Sequence, residues 1–209
     1  ADLVRFNRRS DLTGKALQLL VKAAQTHPHW PEVWSSLAEL SDLLGDKIAA
    51  MAAYQKYSEL APNDEYYRLK ESTLLTLVGE HQKTEQILNH LIKLNPANYR
   101  PFEQLANLRL KQKRYDEADV LYAQASILAP HSHSPVHNRG FLALMRKDLK
   151  NAELFFREGI RRDGVSREGP FYLALLYAAE KKYELAVQAM TEALRRDETY
   201  SLAYQQLTR

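Results

Sequence analysis

Pro28, Pro62, Pro96 and Pro130 stand 34 residues apart, and the next step along the chain falls on Gly164 in an Asp-Gly turn. A fixed period of this length is what stacked helical hairpins produce. Each hairpin can bury its apolar face only against its neighbours, so the sequence repeats with the structure. Proline closes each unit because it cannot continue a helix and biases the residue before it away from helical geometry. Such an array presents a long surface to another molecule, which narrows function to a class, the binding scaffold, and leaves the partner open.

Aligned on the prolines, the chain reads as repeats 31–64, 65–98, 99–132, 133–166 and 167–200, with a partial repeat over 1–30 and the start of a further helix over 201–209. We expect one array over 1–209, without an interior linker. Within the first full repeat, Trp34, Leu37, Ala38 and Ser41 lie at i, i+3, i+4 and i+7, one face of a helix that Gly45-Asp46 breaks. Ala50, Tyr54 and Tyr57 mark the second helix, which ends at Ala61-Pro62.

Two columns of small residues set the expected packing. Ala16, Ala50, Thr84, Ala118, Ala152 and Ala186 run through the second helices, and Val4, Ala38, Ser72, Ala106, Gly140 and Ala174 through the first. Small side chains at both positions let the antiparallel pair approach at the short end of the usual interaxial range of roughly 8–10 Å. Larger residues fill the space beside them: Trp34, Phe102 and Val136 head the first helices, and Leu20, Tyr54, Leu88, Tyr122, Phe156 and Met190 seal one hairpin against the next.

These columns resemble the tetratricopeptide repeat family over essentially the whole chain. The 99–132 repeat carries the pattern best, with Phe102, Leu105, Ala106, Tyr115, Ala118, Tyr122, Ala125 and Pro130. The 65–98 repeat departs most, with Arg68, Glu71 and Thr84 where the family prefers an aromatic residue, Leu and Ala. The resemblance implies an all-α fold, a right-handed superhelical solenoid of antiparallel hairpins with about five full repeats and partial ones at both ends. Because both ends cut the repeat, the sequence reads as a fragment of a longer protein. Tyr200, Tyr204 and Leu207 offer a surface that can pair two chains into a homodimer, or one that a further repeat would cover equally well.

Composition fits a helical chain, with 45% apolar and 26% charged residues and only 7 Gly in 209 residues. A net charge of +3 from 29 basic and 26 acidic residues is a weak basis for a polyanion partner, and no nucleic acid is expected. Cysteine is absent, which excludes disulfides and thiolate chemistry yet suits a cytoplasm and a bacterial periplasm alike. No apolar stretch approaches the roughly 20 residues of a membrane span. Phosphate loops, nucleophile elbows and zinc-protease motifs are missing, so the segment is expected to be non-catalytic and without metal or cofactor.

The resemblance also implies where a ligand would lie, in a concave groove lined by the first helix of each hairpin. On this chain that face includes Tyr66, Arg100, Glu103, Asn107, His137, Asn138, Phe141, Met145, Phe171 and Leu175. Its early part is polar and acidic and its late part apolar, with Asn107 and Asn138 as hydrogen-bonding groups for a protein or peptide partner. Burial of Phe171 and Leu175 as ordinary core is the competing reading. A subgroup of the family clamps a partner's terminal carboxylate with two Lys, two Asn and one Arg; here Asn107 and Asn138 match, but Glu103, Glu168 and Tyr172 stand at the cationic places. The asparagine ladder of the sugar-transferase relatives is absent too.

His131, His133 and His137 suggest a metal cluster at first sight. Ser134-Pro135 reads as a serine-capped helix start, however, so His133 would precede the helix and lose register with His137, and no carboxylate lies nearby in sequence. The pairs Arg161-Arg162 and Arg195-Arg196, again 34 apart, suit the negative ends of the second helices or, with Arg167, a phosphate-binding edge. Two functions follow. The first is a non-catalytic interaction scaffold that binds a peptide in its groove. The second is the helical arm of a larger enzyme or secretion complex, such as a glycosyl- or sulfotransferase or a polysaccharide exporter, whose active module lies outside this segment.

Overall fold

In the computed structural model, residues 2–197 and 199 are described, with side chains from Leu12 onward. Among the described residues the chain is all α and falls into two compact units, 1–96 and 97–209. The first unit holds α1 (Asp2–Thr26), α2 (Pro31–Leu43), α3 (Lys47–Leu60), α4 (Glu65–Val78) and α5 (His81–Leu94). The second holds α6 (Tyr99–Lys111), α7 (Tyr115–Leu128), α8 (Ser134–Met145), α9 (Leu149–Arg162), α10 (Glu168–Ala179) and α11 (Tyr183–Arg196). From α2 onward every helix falls within its expected repeat, and within each unit successive helices pack on one another as antiparallel hairpins. The terminal positions Tyr200, Tyr204 and Leu207 lie outside the described residues.

The small-residue columns are where the hairpins close. Ala38, Ser72, Ala106 and Gly140 on the first helices are buried, as are Ala50, Thr84, Ala118 and Ala152 on the second, and Tyr54, Leu88, Tyr122 and Phe156 fill the gaps between them. Gly140 shows why the column tolerates nothing larger there: a Cβ would stand 2.5 Å from the Phe156 ring.

Each turn between the two helices of a hairpin is built alike. The residue at the left-handed position is Gly45, Gly79, Lys113, Lys147 or Lys181, again at 34-residue steps. The following residue donates its N–H back over the helix end, Asp46 to Ser41, Glu80 to Leu75, Arg114 to Arg109, Asp148 to Ala143 and Lys182 to Tyr177, all at 2.8–2.9 Å. This is a Schellman closure, which satisfies carbonyls that the helix leaves free and turns the chain into the second helix. The N-terminal segment differs. The period places a helix break between residues 10 and 16, but α1 runs through as one helix, and Leu19 is exposed where its equivalents Ala53 and Ile87 are buried. That face lacks the first-helix partner every later hairpin supplies.

The irregular 65–98 repeat compensates its departures internally. Glu71, where the family prefers Leu, is buried and accepts hydrogen bonds from Ser58 Oγ at 2.7 Å and Arg68 at 3.0 Å. Thr84 donates its hydroxyl to the Glu80 carbonyl at 3.0 Å. A buried carboxylate with its partners removed is costly, whereas an apolar replacement of the whole set is often neutral. Glu71→Ala is therefore expected to cost about 2–4 kcal/mol in urea unfolding, and combined Ser58→Ala, Arg68→Leu and Glu71→Leu to recover most of that loss. Equal stability of Glu71→Ala and the parent would disprove the account.

Candidate functional site

The predicted groove residues fall in both units. Tyr66 belongs to the first, half-exposed on α4, where its ring meets Tyr67 edge-on at 5.0 Å and Lys70 Nζ lies 5.6 Å from its centroid. All the others belong to α6, α8 and α10 of the second unit, which brings them onto neighbouring first helices.

Burial sorts them. Arg100 and Asn107 are exposed on α6, and Met145 is 55% exposed at the end of α8. Phe141 and Leu175 are half-buried. Two expectations need correction: His137 is only 3% exposed and Phe171 only 6%, so neither reaches a ligand. Phe171 packs with Ala174, Met190 and Ala193 and is held there by the α10–α11 hairpin, with Leu175 at the edge of the same cluster. Of the two readings kept open, core holds for Phe171.

The polar residues are engaged with one another. Glu103 accepts hydrogen bonds from Ser134 Oγ and from Asn138 Nδ2, the latter at 2.9 Å, and burial raises its carboxyl above the ordinary glutamate range. Asn107 Oδ1 accepts the hydroxyl of Tyr122, whose buried phenol is pushed well above its usual range. Ser134, expected to cap α8, serves Glu103 instead, and no side chain caps that helix. What remains open at the groove's apolar end is an aromatic floor. Tyr172 meets Phe141 edge-on at 4.3 Å, with Phe156 beneath at 5.4 Å from Tyr172 and 5.6 Å from Phe141.

His137 forms the underside of this floor. Its ring packs edge-on to Tyr172 at 5.4 Å, hydrogen-bonds the Phe156 backbone carbonyl and leaves Nε2 without a partner. Gly159 makes room for it: a Cβ there would stand 2.0 Å from Nε2. His133 is closer than the sequence implied. Its backbone is already helical, so the His137 N–H bonds its carbonyl at 2.9 Å and the two rings lie 5.0 Å apart. Carboxylates distant in sequence approach as well, Asp163 at 2.9 Å from His133 Nδ1 and Glu168 at 3.6 Å from Nε2. Even so, no group of three His, Cys, Asp or Glu side chains among the described residues is arranged to hold a metal ion.

The arginine pairs are employed inside the fold. Arg162 binds Glu158 and donates to the carbonyls of Ser126 and Ala129 at the end of α7; Arg196 binds Glu192 and donates to the Ser166 carbonyl at 2.7 Å. Arg161 and Arg195 pair with the same two glutamates, whose carboxyls these hydrogen bonds hold down at about 2. Arg167 is paired with Asp197. Arg162 and Arg196 are thus anchored within the fold, while Arg161 and Arg195 stay about three-quarters exposed.

Two stretches, 31–64 and 172–200, match the model of the tetratricopeptide repeat. The chain is similar to anaphase-promoting complex subunit 3 of Schizosaccharomyces pombe, 25% identical over 142 residues, which are 68% of this chain and 21% of that protein. It is also similar to the human protein O-mannosyl-transferase TMTC3, 26% identical over 203 residues, 93% of this chain and 22% of that protein. The chain thus spans about a fifth of the length of either. Among solved structures, a tetratricopeptide repeat protein of Parabacteroides merdae matches with a TM-score of 0.76 at 16% identity, covering 99% of this chain and 81% of that one. YrrB, a repeat protein with an unusual peptide-binding site, matches with a TM-score of 0.55 at 15% identity, covering 91% and 98%. No helix among the described residues is long and apolar enough to cross a membrane.

Burial holds His137 well below the ordinary histidine range, at about 4. Because the unfolded chain takes up this proton near pH 6.5 and the folded chain only near 4, stability should fall as pH drops through that window, by about 3 kcal/mol in all. His137→Gln should remove that part of the pH slope in urea titrations at pH 4.5 and 7. An unchanged slope would place the titrating group elsewhere.

Proposed function

We propose that the chain is a non-catalytic interaction scaffold whose second unit docks a peptide segment of a partner protein along α6, α8 and α10. The observation that carries this is the uncovered apolar end of the face, Met145 beside Phe141, Tyr172 and Leu175, on a surface where a soluble protein otherwise shows polar groups. Methionine suits such a surface because it is unbranched and adapts to different side chains. Arg100 and Asn107 at the polar end set the direction of the bound segment. His137 and Phe171 hold the floor, Glu103 and Asn138 brace α6 against α8, and Tyr66 belongs to the other unit.

A second reading rests on the similarity to the O-mannosyl-transferase over nearly the whole of this chain. Here the array is the arm of a larger enzyme, positioning rather than recognising, and a mannosyl-transfer assay on the full-length protein tests it.

The groove reading is tested by overlaying the chain on an array of random peptides. The parent should select sequences with bulky apolar residues, and Met145→Asp with Leu175→Ser should weaken capture about tenfold or more while helical content by circular dichroism stays unchanged. Capture that survives both substitutions excludes this face.

A further inference from the structure

The turn between the helices of each hairpin needs a residue in the left-handed region, where glycine is free and a side chain is strained. The first unit uses glycine, Gly45 and Gly79. The second uses lysine three times, Lys113, Lys147 and Lys181, at φ of 60°, 61° and 61°. The closing hydrogen bonds are the same in both units, so the turn itself does not call for the ammonium. All three side chains are exposed, and none makes an ion pair or hydrogen bond through Nζ among the described residues.

These turns share one edge of the second unit. Arg146, at the end of α8, reaches Asp116, at the start of α7, at 2.7 Å, so the first two turns touch. Between them lies a cleft of about 260 Å³ lined by Lys113, Arg114, Tyr115, Asp116, Glu117 and Arg146. The acids of the edge are largely committed: Asp116 to Arg146, Glu117 to Arg109 and Arg114, Glu180 to Lys182, and Asp148 to the N-terminus of α9. Glu184 is the acid left to offset three unpaired ammonium groups.

We propose that this edge is a second docking surface, separate from the groove, that binds an acidic segment of a partner protein, its carboxylates spaced along Lys113, Lys147 and Lys181. Backbone strain retained at three equivalent positions, where the same fold elsewhere uses glycine, is the mark of a side chain kept for what it contacts. A carboxylate entering the cleft meets the Lys113 ammonium beside the Arg146–Asp116 pair, a charge-assisted contact. The interspersed Asp116, Glu117, Glu180 and Glu184 favour a flexible peptide over nucleic acid or an anionic lipid surface, whose dense phosphates would meet them directly.

The test substitutes glycine at all three positions, Lys113→Gly, Lys147→Gly and Lys181→Gly, which keeps the turn and relieves its strain. Thermal stability should therefore stay equal or rise. The probe is fluorescein-labelled poly-glutamate peptide, with poly-glutamine, a single-stranded oligonucleotide and phosphatidylserine vesicles as comparisons. The parent should bind poly-glutamate with a salt-sensitive anisotropy change and ignore poly-glutamine, and the triple variant should bind about tenfold more weakly. Leu175→Ser should leave this binding intact, which separates it from the groove. Unchanged binding by the triple variant, or capture of the oligonucleotide or the vesicles in preference to poly-glutamate, would overturn the proposal.

Discussion

Everything in this fold depends on how closely the two helices of a hairpin approach. A small residue on each helix at the crossing point removes the side-chain layer that would hold them apart, and a large residue one turn away plugs the space that curvature opens. Gly140 against Phe156 is one instance, since even a methyl group would collide with the ring. Once the pair is locked, the first helix has one face against its partner and another turned outward. That second face becomes a candidate groove wherever its side chains are not drawn into the core. The position of Phe141 and Met145 on the outward face of α8 is thus a consequence of Gly140 as much as of their own chemistry.

The period made most of this legible. Proline, small-residue and aromatic columns each recur at 34 residues, and a periodicity supported by independent chemistries cannot arise from one local propensity. Groove membership was less legible, because a column says which face a residue belongs to but not how deep it lies. His137 and Phe171 occupy groove positions by register, yet the void over Gly159 and Gly169 draws the imidazole inward, and Met190 and Ala193 close over Phe171. The signal for His137 was present in principle, as a glycine inside α9 where helix propensity argues against one. It required knowing which side chain crosses it.

Long-range polar pairing was the least legible. Asp163 meets His133 from 30 residues away, and nothing in either neighbourhood announces it. The helical backbone at His133 also defeated the inference that proline at the next position but one would separate it from the helix. A proline in the first turn costs the helix no hydrogen bond, because the N–H it lacks has no helical acceptor there, and α8 begins at Ser134 with His133 already at helical dihedrals.

Seen as geometry, however, these pairings obey the same period. His133 with Asp163 becomes Arg167 with Asp197 one repeat later, and Arg162 reaching the last carbonyls of α7 becomes Arg196 reaching the Ser166 carbonyl. The residues change while the contact between the start of one hairpin and the end of its second helix persists. Such contacts lie along the seam where one hairpin succeeds the next, and the carbonyls they satisfy are at the end of α7 and in the loop after α9. The last two hairpins are therefore held by two different patterns superposed. An apolar one inside each hairpin is strict in residue size, and a polar one at the seams is strict in position but permissive in chemistry. A histidine can occupy that seam in one repeat and an arginine in the next because the seam requires only a donor facing an aspartate.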